Sequence, residues 1–112
     1  MQQKNPLLKG SLITIILKLL SEHDKMYGYE ITKKVQELSQ GSLKLTEGAL
    51  YPSLHKLEAD GLLDVSIENI GNRSRKYYSL TKKGKKESIE KLKELNQFFT
   101  QMQQVLNFKL SV

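Results

Sequence analysis

The chain of 112 residues contains no cysteine and no tryptophan, and only two of its residues are proline. Without cysteine it can form neither a disulfide nor a metal site with thiolate ligands, which suits a reducing cytoplasm. Its apolar stretch at residues 12–20 is interrupted by Lys18 and is far shorter than the roughly 20 residues that span a bilayer. No small-residue cleavage site follows that stretch. These absences predict one cytoplasmic domain without a membrane partner or a secretory signal.

The residue types that catalyse reactions or hold cofactors are also sparse. The only two histidines, His23 and His55, lie in different segments and no acidic cluster accompanies either of them. Glu58 and Asp60 are close in sequence, but neither a nucleophile nor a phosphate-binding glycine loop accompanies them. We therefore expect no enzymatic activity, no metal and no cofactor.

What the chain does contain is a local concentration of positive charge. Residues 69–86 hold seven of the 18 lysines and arginines and none of the 12 acidic residues. A charge run is usually a solvated surface, but four lysines at positions 82, 83, 85 and 86 begin a predicted helix, where positive charge opposes the helix dipole. A sequence that departs from a local rule this often indicates another use for the charge, and phosphate binding is one.

The order of predicted elements indicates a fold. Helical spacing of apolar residues predicts helices over 7–22 and 29–38, and a third over 46–60 with Thr46 as cap and Gly61 after its end. Alternation over 63–68 predicts a strand, a turn follows at residues 71–72, and residues 75–80 predict the returning strand. Thr81 then caps a last helix that reaches to about Phe108.

This order predicts a mainly α, α+β winged helix-turn-helix with a two-stranded β-wing. We assign residues 1–81 to a DNA-binding domain and residues 82–112 to a long C-terminal dimerisation helix, the two forming one compact unit. For Tyr78, on the second wing strand, we expect a ring in the core and a hydroxyl at the surface.

Pro52 lies inside the predicted third helix, where an interior proline costs about 3 kcal/mol. It lies within two turns of the cap at Thr46, where fewer intrahelical hydrogen bonds can be lost. We therefore expect the helix to accept this proline at a smaller cost.

Three segments resemble PadR-family transcriptional regulators: MYGYEI at 26–31, GALYPSLHKLEADGLL at 48–63 and RKYYSLTKKG at 75–84. With the first helix and the long last one, they cover nearly the whole chain in the right order. The LYPSLHKLE stretch is the most specific of them, and the chain's end at Val112 is similar to the compact members of the family.

The resemblance implies a homodimer that binds double-stranded operator DNA, mostly as a repressor, and that a small hydrophobic or aromatic effector can release. Carried over position by position, it implies two groups of DNA contacts. The first group lies on the second and third helices, and the second lies on the wing: Tyr29, Thr46, Tyr51, Ser53 and Lys56, with Arg73, Arg75 and Lys76.

The last helix carries an apolar seam that predicts a dimer. Leu92, Leu95, Phe99, Met102 and Leu106 follow one another at steps of 3, 4, 3 and 4 residues, as in two heptads of a coiled coil. The alternative is a helix packed on its own domain. However, about 27 helical residues span roughly 40 Å, more than a three-helix domain covers, so we expect an interface.

We expect Leu12 and Ile16 of the first helix to join this interface. A two-fold dimer would place its recognition helices about 34 Å apart and require a palindromic operator.

Two other functions remain open from the residues alone. A winged helix can act as a protein-interaction module, in which case the basic wing would meet an acidic partner. The chain could also bind nucleic acid without sequence preference. Competition with unrelated DNA separates these alternatives from operator binding, because only specific binding survives it.

Overall fold

A computed structural model describes residues 5–108. Within this range, four helices pack with a three-stranded antiparallel sheet. The elements are, in order, α1 (Pro6–Glu22), β1 (Met26–Tyr27), α2 (Gly28–Leu38), α3 (Glu47–Ala59), β2 (Leu63–Ile70), β3 (Arg73–Leu80) and α4 (Lys82–Leu106). The predicted α+β winged helix with a long last helix is confirmed. Residues 1–4 of the predicted DNA-binding domain and residues 109–112 of the predicted dimerisation segment lie outside the described residues.

The core lies between the first three helices and the sheet. Asn5 caps α1 by accepting hydrogen bonds from the backbone N–H groups of Leu7 and Leu8, at 3.0 and 3.1 Å. The buried apolar side chains come from every helix but α4, and from the sheet: Leu12, Ile16, Leu17, Leu20, Ile31, Val35, Leu50, Leu54, Leu57, Leu63 and Tyr78 among them. Helix α1 therefore runs through the centre of the domain rather than along its side.

The central position of α1 corrects one part of the predicted dimer interface. Leu12 is 3 % exposed and Ile16 is not exposed at all. Both side chains belong to the chain's own hydrophobic core, so they offer no surface to a second copy. Periodicity had identified an apolar face on this helix, but it could not show that the face is already covered.

The sheet has one strand more than the predicted wing. Strands β2 and β3 form the hairpin, with Leu63 opposite Leu80 and Ile70 opposite Arg73, and β1 pairs with β3 on its other side. Gly71 turns the hairpin with a φ of +61°, a conformation that glycine adopts without strain. Strand β1 is only two residues long in a polar stretch, so alternation of side chains could not reveal it.

This extra strand explains why the prediction for the Tyr78 hydroxyl is wrong. Tyr78 lies on the central strand, between Met26 of β1 and Val65 of β2, and is completely buried. Its hydroxyl oxygen makes no hydrogen bond within the described chain. Burial, and then the nearby Glu58 and Tyr51, raise the pKa of Tyr78 above its ordinary value of 10.0.

Helix α4 lies against α1 over its first part and extends beyond it. The hydroxyl of Thr81 caps it by accepting from the N–H of Gly84 at 2.9 Å, as predicted. At its other end Asn107 takes the left-handed conformation with φ 55°, a common helix stop, so α4 ends two residues earlier than expected. The described molecule measures 55 × 31 × 22 Å.

Candidate DNA-binding surface

Helix α3 presents a small, polar outer face. Leu50, Leu54 and Leu57 hold its inner face in the core, and the hydroxyl of Thr46 caps its first turn by accepting from the N–H of Ala49 at 3.2 Å. The residues between the anchors are exposed or half-buried and lack large apolar groups: Glu47, Gly48, Pro52, Ser53, His55 and Lys56. A helix with such a face can approach the floor of a DNA major groove closely.

Pro52 interrupts neither the course of α3 nor its packing. The helix continues past it to Ala59, and the proline ring is exposed. The carbonyl that loses its partner is that of Gly48, four residues earlier, which is also exposed and can bind water instead. The prediction that the helix accepts this proline is confirmed.

Tyr51 connects α3 to the start of α2. Its ring packs against the core, and its hydroxyl lies so close to Gly28 that a Cβ added there would be 2.5 Å from the oxygen. Burial, and then the charge of Glu47, raise the pKa of Tyr51. The hydroxyl thus contacts the backbone of α2, and Tyr51 positions the two helices of the helix-turn-helix relative to each other.

Tyr29 lies one residue after this contact and is 53 % exposed. Its ring stacks beside Tyr27 with 6.5 Å between centroids, and the Lys33 ammonium lies 5.8 Å from its centre. The side chain of Glu30 accepts from the N–H of Tyr27 at 3.0 Å, which holds the first turn of α2 in place. The hydroxyl of Tyr29 is therefore presented on a rigid helix start.

The three predicted wing cations lie in different environments. The guanidinium of Arg75 lies 4.4 Å from the ring centre of Tyr27 and the residue is half-buried. Arg73 and Lys76 are exposed, and neither side chain has a hydrogen-bond or ion-pair partner among residues 5–108. Arg73 and Lys76 are consequently the wing cations that are available to a phosphate, while Arg75 holds the wing to β1.

The base of the wing is fixed by further contacts of the same kind. Tyr77 meets Tyr27 edge to face at 5.4 Å between centroids. Lys25 lies 5.0 Å from the centre of the Tyr77 ring and forms an ion pair with Glu68 on β2. Sequence reasoning missed this cluster, because its signal, tyrosines and cations near β1, depends on a strand that was not predicted.

The lysines at the start of α4 have partly different roles from one another. The ammonium of Lys83 donates to the carbonyl oxygen of Asp60 at 3.1 Å, at the negative end of the α3 dipole. Lys82, Lys85 and Lys86 are exposed. The departure from the dipole rule is therefore explained for Lys83 by a neighbouring helix.

Lys56 on α3 forms an exposed ion pair with Asp60 at 3.1 Å, and exposed ion pairs of this kind contribute little stability.

The predicted dimer seam on α4 is largely exposed to solvent. Leu92, Phe99 and Leu106 are exposed, and Leu95 and Met102 are half-buried. Three further apolar residues of α4 are exposed beside them: Ile89, Phe98 and Val105.

An apolar groove of about 380 Å³ adjoins the seam. It is bounded by α1, the end of α2 and α4, with Leu19, Leu38, Leu43, Leu92 and Leu95 among its lining residues. Leu38 is 69 % exposed, although its sequence position predicted only a helix face. This groove is therefore an apolar surface beside α1 that a second molecule can reach.

The described residues contain no group of three His, Cys, Asp or Glu side chains placed to hold a metal ion. In the same part of the chain, no helix has the length and apolar character needed to cross a membrane.

Comparison with known proteins agrees with this geometry. The model of the "Transcriptional regulator PadR-like family" matches residues 16–90. Transcriptional regulator YqjI of Escherichia coli is 32 % identical over 91 residues, which are 76 % of this chain and 42 % of YqjI. A transcriptional regulator from Clostridium thermocellum superimposes with a TM-score of 0.78 at 29 % identity, covering 92 % of this chain and 96 % of that one.

Bacillus subtilis PadR, solved in complex with operator DNA, superimposes with a TM-score of 0.65 at 30 % identity. That match covers 72 % of this chain but only 46 % of the Bacillus chain, so this chain spans less than half of YqjI and of Bacillus PadR. The matched proteins are transcriptional regulators, and the prediction of no enzymatic activity is confirmed on that ground. The family match covers well over half of the sequence, and the chain therefore belongs to the PadR-like family of transcriptional regulators.

Proposed function

We propose that this chain is a cytoplasmic repressor that binds a palindromic operator as a homodimer. The observation that carries the proposal is the combination of a small, polar outer face on α3 with two wing cations, Arg73 and Lys76, that have no partner in the described chain. A protein that recognises a DNA sequence in the major groove needs both features. Contacts to the bases specify the sequence, and contacts to the phosphates fix the position of the protein on the duplex. The operator complex of Bacillus PadR supports the same use here.

The predicted contacts divide into two classes by their position. Thr46 caps α3, Ser53 and Lys56 lie on it, and in the proposed complex all three would meet base edges or adjacent phosphates in a major groove. Tyr29, Arg73 and Lys76 are exposed on α2 and the wing, where a hydroxyl or a cation would meet phosphate oxygens. Tyr51 and Arg75 act mainly behind this surface, since Tyr51 packs against Gly28 and Arg75 against Tyr27.

The dimer would use the open half of α4. Its exposed apolar side chains, with the groove beside Leu38, form a continuous surface that a second copy can cover. A two-fold arrangement of such helices would present two α3 helices to half-sites one DNA turn apart. Leu92, Leu95, Phe99, Met102 and Leu106 remain the proposed interface residues, without Leu12 and Ile16.

The same groove is the place where a small hydrophobic or aromatic effector would bind. Its volume of about 380 Å³ lies at the lower end of the range for small-molecule sites. An effector that contacts both α4 and α1 would bias the dimer geometry and thereby release DNA.

The testing experiment is a selection of bound duplexes from random DNA with the purified protein, at fixed near-physiological salt. Enrichment of a two-fold-symmetric site is expected. Binding without enrichment would replace operator recognition with non-specific electrostatic attraction. No binding at all would favour the interaction module, whose wing meets an acidic protein. A reporter gene placed behind the selected site then tests repression, which is expected to lower its expression.

A further inference from the structure

The chain leaves α3 through three residues whose carbonyl groups all accept hydrogen bonds from the start of α4. The hydroxyl of Thr81 donates to the carbonyl of Gly61 at 2.7 Å, and the N–H of Thr81 donates to that of Leu62 at 3.1 Å. The ammonium of Lys83 donates to the carbonyl of Asp60 at 3.1 Å. The carbonyl of Asp60 belongs to the C-cap of α3 and has no partner within that helix, and Gly61 and Leu62 form the turn that follows. Residues 81 and 83 supply the donors to all three carbonyls. We call this contact, from residues 60–62 to residues 81–84, the α3–α4 joint.

Two details make the joint tight. The hydroxyl of Thr81 also accepts from the N–H of Gly84 at 2.9 Å, so one side chain caps the start of α4 and the end of α3 together. Gly84 passes so close to the turn that a Cβ would lie 2.1 Å from the carbonyl oxygen of Leu62. Any side chain at position 84 would push the two helices apart.

Beyond the joint, α3 and α4 diverge. An open groove of about 430 Å³ lies between them and α1, bounded by Lys56 and Leu57 on α3 and by Lys91 and Phe98 on α4. Both helices also pack on α1, and the hydroxyl of Ser88 on α4 donates to the carbonyl of Leu17 at 3.3 Å. That bond holds α4 to α1. Packed helices can slide by small amounts, whereas hydrogen bonds are directional. The joint is therefore the contact that fixes the angle of α3 relative to α4.

We propose that the α3–α4 joint sets the half-site spacing that the dimer accepts, with Thr81 and Lys83 as positioning residues; this rests on the proposed function. In a two-fold dimer joined through α4, the direction of each α3 relative to its own α4 determines the distance and angle between the two recognition helices. One added base pair moves a half-site by about 3.4 Å and turns it by about 35°. A rigid joint therefore rejects operators of the wrong spacing, and a loosened one accepts them.

The test uses two pairs of matched variants of the full chain. Thr81→Asp keeps an oxygen that can cap α4 but cannot donate to Gly61, whereas Thr81→Ser keeps both hydrogen bonds. Lys83→Met and Lys82→Met each remove one cation from the same helical turn. Of these two lysines, only Lys83 donates to a carbonyl of residues 60–62, since the Lys82 ammonium has no hydrogen-bond partner in the described chain.

The measurement is the affinity for duplexes that carry the selected half-sites at the favoured spacing and at one base pair more or less. For Thr81→Asp we expect the preference for the favoured spacing to fall about tenfold, the effect of losing one hydrogen bond in each of two protomers. Lys83→Met should lower it in the same direction, while Thr81→Ser and Lys82→Met leave it as in the parent. A loss of affinity that is equal at all spacings would overturn the proposal, because that is what mere destabilisation produces.

A second readout needs no DNA. Residual dipolar couplings of backbone amides in free protein report the angle between α3 and α4, and we expect them to define one angle in the parent and a range of angles in Thr81→Asp. If the angle stays as well defined in the variant, the joint has no such role. If instead the couplings behave as expected but the parent selects no two-fold site, the operator proposal fails and the role of the joint in helix orientation stands.

Discussion

The two halves of α4 belong to one continuous helix, yet they differ in the size of the side chains that they bury and expose. In residues 82–92 the buried residues are small: Gly84 lies against the carbonyl of Leu62, and the hydroxyl of Ser88 donates to the carbonyl of Leu17 at 3.3 Å. In residues 93–106 large apolar side chains such as Phe98 and Phe99 are exposed.

The difference follows from how closely the backbone approaches its neighbours. Small side chains let the first half of α4 dock directly onto backbone atoms of α1 and of the turn after α3. The second half extends towards the end of the domain, where Phe98 and Phe99 are covered only in part and remain 49 % and 44 % exposed. The small buried residues of the first half therefore hold α4 to the domain. The exposed apolar side chains, which begin at Ile89 and Leu92 and continue through the second half, are available for another molecule.

The largest expected effect comes from changing the second half. Phe99→Glu together with Met102→Glu places two charges on the exposed apolar face, which should leave the protein monomeric and reduce operator affinity by about a thousandfold, roughly 4 kcal/mol. Analytical ultracentrifugation and a binding titration measure the two effects.

The control for this variant is Gln97→Glu together with Gln104→Glu, which adds the same charge to the opposite face of the same helical segment. It should remain a dimer. If the Phe99 and Met102 variant also sediments as a dimer, the second half of α4 is not the interface.

The next effect comes from the first half. Gly84→Ala adds a methyl group 2.1 Å from a backbone carbonyl, and such overpacking should lower the free energy of unfolding by about 3 kcal/mol. Gly10→Ala on α1 meets nothing within 4 Å and should raise it by about 0.5 kcal/mol through helix propensity. Chemical denaturation measures both, and equal stabilities for the two variants would contradict the close approach of α4.

A change outside α4 separates DNA affinity from assembly. Arg73→Ala together with Lys76→Ala removes two wing cations from each protomer and four from the proposed dimer, so the slope of log affinity against log salt should become shallower by about 4. The dimer should be unaffected. Arg75→Ala should instead loosen the wing itself, because Arg75 packs on Tyr27; hydrogen exchange of β2 and β3 amides distinguishes the two variants. An unchanged salt slope in the Arg73 and Lys76 variant would exclude these cations from the DNA contact.

The smallest effect contrasts two buried hydroxyls. That of Ser88 in α4 has a carbonyl partner, whereas that of Tyr78 has none. Tyr78→Phe should therefore raise the free energy of unfolding by about 1 kcal/mol, and Ser88→Ala should lower it by a similar amount. Tyr77→Phe serves as the control, since its ring is only half-buried. A destabilised Tyr78→Phe variant would mean that the hydroxyl has a partner.

The same variant also has a pH signature. The pKa of Tyr78 is raised above 10.0 in the folded chain, so above pH 10 the unfolded chain releases this proton while the folded chain keeps it. Stability is therefore complete below pH 10 and is lost as the pH rises through the folded-state value. The Tyr78→Phe variant should therefore lose less stability above pH 10 than the parent does. It should still show the smaller loss that comes from Tyr51, whose pKa is also raised.

The sequence predicted those features that depend on neighbours along the chain. The caps Thr46 and Thr81, the ends of the helices and the hairpin turn at Gly71 follow from local rules, and the structure has them within one or two residues. It did not predict what depends on distant neighbours. The two-residue β1, the burial of Leu12, the partner of Lys83 and the cation held by Tyr27 all require knowing which elements meet.

The position of β2 at the edge of the sheet bears on aggregation. An eight-residue edge strand offers unpaired backbone groups to which another strand can add. Antiparallel addition of a second copy centred on Ser66 would place Asp64 of one chain opposite Glu68 of the other, and like charges directly opposite oppose such pairing. The acidic residues of β2 thus oppose the growth of the wing into a larger sheet.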